Sequence, residues 1–495
     1  MNNIKVRSAP PKASAMIETL RGLGYSTGAA LADIIDNSIS ANATTINLKF
    51  IWNGANSAIL IIDDGNGMSD SGLERAMSLG AINPNVDRDD GDLGRYGLGL
   101  KSASFSQCRR LTVASIKDST TSCLRWDLDY LASTADGGWY LLEGADTRSG
   151  ELIKNNLPAV HGTVVLWEVL DRIVTLGFTS QEYLDLIEKV DQTLGMIFHR
   201  FLYGISPKLR IFINDVPVRA WDPFMSNNSF TMTSPELSLQ TPTGVVNVRG
   251  YVLPHKDQLT TEEYEKSGGP EGWNSQQGFY IYRNNRLLVS GGWLGLGSRR
   301  SWTREESHRL ARISIDITNS SDSDTDWKID IRKSIARPPV SIRSMLVRFA
   351  EDIRFKARRV FAHRGAYNMN NPREEIHNAW RSETFKGGIR YRVDLEHPAI
   401  KSIIESAGAM TPQIKALLRI IEETVPVQKI WLDTAESKET PRTGFAEQSS
   451  ESIMEVLSAV YEDLIIRRGM SSEAAKKTLL SSEPFNHYPT LISNL

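Results

Sequence analysis

Leu31–Thr44 reads LADIIDNSISANAT, and two stretches follow it in order: IIDDGNGMS at Ile61–Ser69 and GDLGRYGLGLKSAS at Gly91–Ser104. Apolar residues at helical spacing over 27–41 predict a helix, which sets Asp33 and Asn37, four apart, on one side of it. A carboxylate one turn from a carboxamide can orient a water while the amide oxygen ligates a hard cation. Alone, the pair reads as a solvated polar helix face. Asp63 ends an apolar run and enters the turn Asp64-Gly65-Asn66-Gly67. There it can accept a hydrogen bond from an exocyclic amine, and the glycines let a flat ring approach the backbone. Gly94, Gly97 and Gly99 precede a helix start at Leu100 and Lys101, an arrangement that frees backbone N–H groups for an anion cradle. The spacing is neither that of a P-loop nor that of a dinucleotide fingerprint. A fourth piece, HGTVVLW at His161–Trp167, completes an ordered set that reads as one nucleotide pocket.

The chain has 495 residues, enough for two to four domains, with 40% hydrophobic and 23% charged residues, as in ordinary globular proteins. Two cysteines, Cys108 and Cys123, form no disulfide framework and fit a reducing cytoplasm as buried small hydrophobes. No stretch has the length and apolarity of a membrane helix, and the first residues carry no apolar signal core. A net charge of −2 argues against wholesale polyanion binding while permitting a local basic surface.

Helices are expected over 13–23, 71–79 and 98–107, and strands over 45–52, 58–62, 111–116, 122–128, 139–143 and 162–169. Without regular βαβ alternation this is an α+β sandwich, not a doubly wound sheet. A long helix over 180–203 closes a first domain at 1–204. Strands at 209–213, 245–252, 278–282 and 312–317, with a helix at 340–363, form a second α+β domain at 205–365. Residues 366–495 are expected to be a mostly helical module, with helices at 398–406, 412–424, 451–468 and 472–480 and a polar linker at 433–450. The polar, Asp-rich stretch at 83–93 reads as a mobile loop.

The ordered motifs resemble those of the gyrase, Hsp90-type chaperone, histidine kinase and MutL (GHKL) ATPases with their Bergerat nucleotide fold, closest to the MORC branch and its bacterial relatives. The resemblance covers about residues 13–170. It implies ATP as ligand, Asn37 as the Mg²⁺ ligand, Asp63 on the adenine amine, Gly67 making room for the base, and Thr163 supporting the adenine contact. Met68 joins that set, and Gly94, Gly97, Leu98, Gly99, Leu100 and Lys101 would wrap the phosphates. The general base is Glu in most relatives and Asp33 here; being one methylene shorter, it stands about 1–1.5 Å farther from a water, which implies slow hydrolysis. Asp36 has no base role in the family pattern. GFYIYRNNRLLV at Gly278–Val289 resembles the matching MORC segment of a transducer domain. The loop DWKIDIRKSIARPP at Asp326–Pro339 should then supply a lysine to the γ-phosphate, Lys333 first and Lys328 second.

The same resemblance implies a lid over 83–104 that ATP orders, an ATP-dependent homodimer, and action on DNA beside a separate nuclease in a bacterial restriction or phage-defence system. Arginines at 299, 300, 304, 309 and 312, and a basic run at 343, 348, 354, 356, 358, 359 and 364, are candidates for phosphate-backbone contact. A chaperone and a nucleotide-gated, non-catalytic binding module are the rival readings. No phospho-acceptor histidine helix precedes the pocket, which argues against a histidine kinase.

Overall fold

The computed structural model describes residues 11–22, 24–80, 99–204, 207–242, 244–318, 327–330, 333, 335–362, 377–385, 388–430, 432 and 450–495. The chain divides into two compact units, 1–365 and 366–495.

The first unit opens with α1 (Ala13–Arg21), α2 (Thr27–Ser40), β1 (Thr45–Ile51), β2 (Ala58–Asp63), α3 (Asp70–Met77), α4 (Gly99–Phe105), β3 (Arg110–Lys117) and β4 (Thr120–Asp127). It continues through α5 (Leu128–Ser133), β5 (Leu142–Glu143), α6 (Gly150–Asn156), β6 (Gly162–Glu168), α7 (Ser180–Ile197), α8 (His199–Leu202), β7 (Arg210–Ile213) and β8 (Val216–Pro217). An eight-stranded sheet runs β5-β4-β3-β6-β2-β1-β7-β8. Strand β2, AILIID, is buried throughout because side chains alternate between two covered faces. Ile59 and Ile61 join Val113, Val165 and Trp167 under the helices that include α2 and α7, whereas Leu60 and Ile62 join Val164, Leu166 and Ile153 of α6 on the other face. Two cysteines lie in this region: Cys108 is buried and Cys123 half-buried, both free thiols.

A second sheet follows from β9 (Met232–Thr233), β10 (Leu237–Thr241), β11 (Gly244–Val252), β12 (Gly278–Arg283), β13 (Arg286–Ser290) and β14 (Ala311–Ile317), with α9 (Thr261–Ser267) between β11 and β12. Its order is β10-β11-β14-β12-β13, with β9 beside β11. Helix α10 (Val340–Ala362) buries Ile342, Leu346, Ala350, Ile353, Ala357 and Val360 against it, a three-and-four spacing that keeps one stripe inward. The two sheets meet where α7 ends. His199 Nε2 lies 2.9 Å from Tyr282 Oη, and the Arg200 guanidinium stacks 3.5 Å over the Tyr282 ring while pairing with Asp316. Burial pushes the His199 imidazole down to about 4, so it is neutral here at pH 7.

Several expectations change. Arg210–Ile213, read as the opening strand of a second domain, pairs in parallel with β1 in the first sheet. Its apolar alternation announces a strand but not which edge it completes. The strand expected over 139–143 is reduced to Leu142–Glu143, and the helix over 180–203 breaks at Phe198, whose backbone leaves helical geometry. That break turns His199 and Arg200 towards β12 and β14. The loop expected at 83–93 and the linker at 433–449 lie outside the described residues.

The second unit holds a hairpin, β15 (Trp380–Phe385) and β16 (Gly388–Val393), which the helical reading of this region did not include. Helices α11 (Pro398–Ser406), α12 (Thr411–Thr424), α13 (Ser450–Glu462), α14 (Ser472–Leu480) and α15 (Pro489–Ser493) follow. Glu422 fixes α12 to the hairpin by accepting from Arg392 at 2.6 Å and from the Val393 amide at 2.9 Å. No helix among the described residues is long and apolar enough to cross a membrane.

Trp167 is fully buried in the first sheet, and its Nε1 donates to Ser104 Oγ of α4 at 2.8 Å. Trp167→Phe removes that donor and part of the ring volume. It should lower stability by about 2–3 kcal/mol in urea unfolding followed by circular dichroism.

Candidate functional site

Sheet register places Asp63 opposite Thr163, and Thr163 opposite Ser115, in one row across β2, β6 and β3. Asp63 shares its face with Ile59 and Ile61, the face that α2 covers, and the Ser38 hydroxyl of α2 donates to its Oδ2 at 2.8 Å. The Gly65 amide donates to Oδ1 at 3.0 Å. Burial pushes the Asp63 carboxyl up, against the pull of the Ser38 and Gly65 donors. Thr163 Oγ1 lies 3.0 Å from Ser115 Oγ, which also accepts from the Met68 amide at 2.8 Å. The turn after β2 is thereby sewn to β3 and β6. His161 Nδ1 lies 2.7 Å from the Gly65 carbonyl; since a carbonyl only accepts, Nδ1 carries the proton.

Gly67 has φ +65°, and a Cβ there would lie 1.9 Å from the Ile116 carbonyl oxygen. Gly162 has φ +136°, and its Cβ would lie 2.2 Å from the Asp63 carbonyl oxygen. Both glycines therefore serve a close backbone-to-backbone approach around Asp63, in addition to any room they leave for a ring. Asp64, next in the chain, accepts from the Thr44 and Thr45 amides at 2.7 and 2.9 Å and pins the turn to the start of β1.

On α2, Asn37 is exposed, and its carboxamide makes no protein hydrogen bond among the described residues. One turn earlier, Asp33 is only 5% exposed and Asp36 only 1%. Three groups converge on these carboxylates. Lys333 Nζ donates to Asp33 Oδ1 at 2.9 Å and to Asp36 Oδ2 at 2.5 Å. Arg286 Nε lies 3.2 Å from both Asp36 oxygens, and its Nη2 lies 3.7 Å from Asp33 Oδ1. Tyr25 Oη donates to Asp33 Oδ2 at 3.1 Å. Burial alone would raise the Asp36 carboxyl, but the Arg286 and Lys333 charges hold it below its usual value. Burial, together with the Asp33 charge, raises the Tyr25 phenol. Asp36 is thus closed to a water molecule, whereas Asp33 would open wherever Lys333 withdrew.

Arg286 reaches α2 through a tight hairpin. Arg283 pairs with Arg286 across the two residues Asn284 and Asn285, whose φ of 48° and 67° suit a type I′ turn that asparagine tolerates. Lys333 has φ +54°, its amide donates to Asp330 O at 2.9 Å, and the Ile335 amide donates to Asp330 Oδ1 at 2.8 Å. Lys328 is exposed and lines a cavity of about 590 Å³ with Arg337 and Arg343, away from the aspartates. Of the two candidate lysines, the fold brings Lys333 to Asp33.

Gly99 and Leu100 open α4, while Gly94, Gly97 and Leu98 lie outside the described residues. Lys101 is buried, and its Nζ donates to the Ala76 carbonyl of α3 at 2.8 Å. Of the arginines weighed for polyanion contact, Arg312 is fully buried, Arg309 is buried beside Glu306, and Arg354 is sandwiched at 4.5 and 4.7 Å between Trp293 and Trp302. These three support the fold and are not open to a phosphate backbone. Arg299, Arg300, Arg304, Arg343, Arg348 and Arg358 are exposed.

Sequence reasoning missed Arg286, Tyr25, Ser38 and Ser115. A signal existed for Arg286: an arginine directly after Asn-Asn, in a strand that is otherwise apolar. The hydroxyl groups of Ser38 and Ser115 become meaningful only once register sets them against Asp63 and Thr163.

Burial pushes the Lys101 ammonium down to about 8 from 10.5. Between those values the unfolded chain holds a proton that the folded chain has released, so this residue's contribution to stability rises with pH across that window. In nucleotide-free protein, Lys101→Met should remove the rise and should be the more stable form near pH 7. Urea midpoints measured from pH 7 to 10 in both proteins check it.

No curated protein matches the chain. Residues 25–163, which run from Tyr25 to Thr163 and span α2, β2 and the row around Asp63, match the family model described as histidine kinase-, DNA gyrase B-, and HSP90-like ATPase, which supports placing this segment in the GHKL superfamily.

Proposed function

We propose that the chain binds ATP between α2 and the β2 turn and hydrolyses it slowly, with Asp33 as base and Lys333 as the cation that meets the terminal phosphate. The observation that carries this reading is the arrival of Lys333, 300 residues downstream of Asp33, within 2.9 Å of it. A cation delivered to the proposed base also stands where charge develops on a transferring phosphoryl group. Asp63 offers an acceptor edge for the adenine amine, backed by Ser38 and Gly65, while Thr163 and Ser115 hold that edge in place. Gly67 and Met68 border the base, and Gly99 and Leu100, which open α4, face the phosphates, while Lys101 would reach them only on leaving the Ala76 carbonyl.

The residues fit a magnesium ion held mainly by phosphates and water, with one neutral protein ligand. The exposed, uncommitted Asn37 oxygen supplies that ligand, whereas Asp33 and Asp36 are spent on cations. When bound, the ion would screen the phosphate charges and orient them towards Asp33.

The closeness to MORC-like and MutL-like proteins, a transducer role for the second sheet, an ATP-dependent homodimer and action on DNA beside a separate nuclease in bacterial defence extend this reading from the motif resemblance. The exposed Arg299, Arg300, Arg304, Arg343, Arg348 and Arg358 are consistent with phosphate-backbone contact. A nucleotide-gated module with little turnover is the second reading, favoured by the occupation of Asp33 by Lys333 and Tyr25.

Titration with a non-hydrolysable ATP analogue tests the pocket. Asn37→Ala should lose Mg²⁺-dependent binding, and Asp63→Asn should weaken binding by about tenfold or more, a lost hydrogen bond to a charged group. Wild-type affinity in both variants would remove the site. Asp33→Ala should keep binding and lose turnover, while Asp33→Glu should raise turnover; turnover that survives Asp33→Ala would exclude this base. Light scattering should find dimers with the analogue and not with ADP.

A further inference from the structure

The four charged groups Asp33, Asp36, Arg286 and Lys333 hold more charge than the proposed reaction uses. Asp33 and Lys333 have roles in it, but Asp36 and Arg286 have none, yet both are buried and paired, with side chains 1% and 4% exposed. A buried carboxylate left without a partner is strongly destabilising, so Asp36 needs a counter-charge that stays in place. Its geometry is asymmetric. Arg286 addresses Asp36 evenly, with Nε 3.2 Å from each oxygen, and approaches Asp33 only to 3.7 Å. Lys333 bridges both carboxylates and is the more exposed cation, its side chain 12% accessible. Arg286, by contrast, is fixed in a β-hairpin and spends its Nη1 on the Leu287 carbonyl at 2.5 Å.

We propose that Arg286 is a positioning residue that makes Lys333 transferable: it carries the charge of Asp36 alone when Lys333 leaves Asp33 and Asp36 for the terminal phosphate of a triphosphate. Without nucleotide, Lys333 occupies an Asp33 oxygen and keeps the proposed base covered. With a triphosphate, Lys333 moves to the phosphate, Asp33 Oδ1 opens to water, and Asp36 stays neutralised by Arg286. A diphosphate lacks the terminal group and leaves Lys333 where it is. The fixed pair therefore sets how strongly the site prefers a triphosphate, and it couples uncovering of the base to arrival of the group to be hydrolysed. This rests on the ATPase reading above and adds its regulation.

Full-length Arg286→Gln, Asp36→Asn and the double variant should be titrated with ADP and with a non-hydrolysable ATP analogue, and their turnover measured. In Arg286→Gln, Lys333 becomes the sole counter-ion of Asp36 and is held there. The affinity for ADP should stay within about twofold, while the affinity for the analogue and kcat should both fall by about tenfold or more. Arg286→Lys should retain most of the preference. In the double variant Asp36 carries no charge and Lys333 is held by Asp33 alone, so the analogue affinity should return to within about threefold of wild type. A merely structural role predicts equal losses for both nucleotides and a double variant at least as weak as either single one; either result overturns the proposal. If Arg286→Gln does not fold, Asp36→Asn alone decides: its preference for the analogue over ADP should rise, and an unchanged or smaller preference refutes the transfer. Wild-type protein that binds neither nucleotide would sink the ATPase reading itself, whereas wild-type discrimination with equal losses in Arg286→Gln would sink only this inference.

Discussion

Two carboxylates sit inside the first unit on one helix, three residues apart, and almost no water reaches either: Asp33 is 5% exposed and Asp36 1%. Helix α2 cannot hold them there by itself. Its apolar residues Leu31, Ile34 and Ile35 are used against the sheet, and the compensating charges come from Arg286 and Lys333, 250 and 297 positions beyond Asp36. Burial of the helix and docking of the second sheet are therefore one event in energetic terms. If Arg286 or Lys333 moves away, the carboxylates must be rehydrated or protonated. A nucleotide that competes for Lys333 acts on the same balance, so ligand state and the contact between the two sheets are linked through a few ångströms of charge.

The junction at the end of α7 supports that contact from another side without adding net charge. His199 is kept neutral by burial against Tyr282, and Arg200 is matched by Asp316 while it stacks on the same ring. The hairpin that carries Arg286 is thus clamped at Tyr282, four residues before the arginine. Its aim at Asp36 follows from a tight Asn284-Asn285 turn and a stacked tyrosine.

Local pattern exposed much of this in the sequence, and long-range pairing hid the rest. The helix carrying Asp33 and Asn37, the strand ending at Asp63 and the turn after it are local features, and each has the expected form. The ends of α10, α11 and α14 also follow their apolar spacing closely. What could not be read was which groups meet. Arg210–Ile213 has the same alternation whichever sheet it joins, and only register shows that it lies beside β1. Lys101 looks like a phosphate ligand in a glycine-rich stretch, yet its ammonium is turned to the Ala76 carbonyl. Arginine density suggested a basic surface until the fold buried Arg309, Arg312 and Arg354 among aromatic and backbone partners. A charge pattern in one dimension does not distinguish a cation facing solvent from one sealed beneath a helix.

The parallel pairing of β7 with β1 separates the part of the chain that can be recognised from the part that can fold. Residues 25–163 carry the family resemblance, but they stop before α7, whose Tyr183, Val190 and Leu194 fill the core, and before β7. A polypeptide trimmed to that segment would leave β1 as a bare edge, with the amides and carbonyls along Thr45–Leu48 free to recruit another strand. It would also strand Asp33 and Asp36 without their cations. Such a fragment should aggregate even though it carries the motifs around Asp33, Asp63 and Gly99.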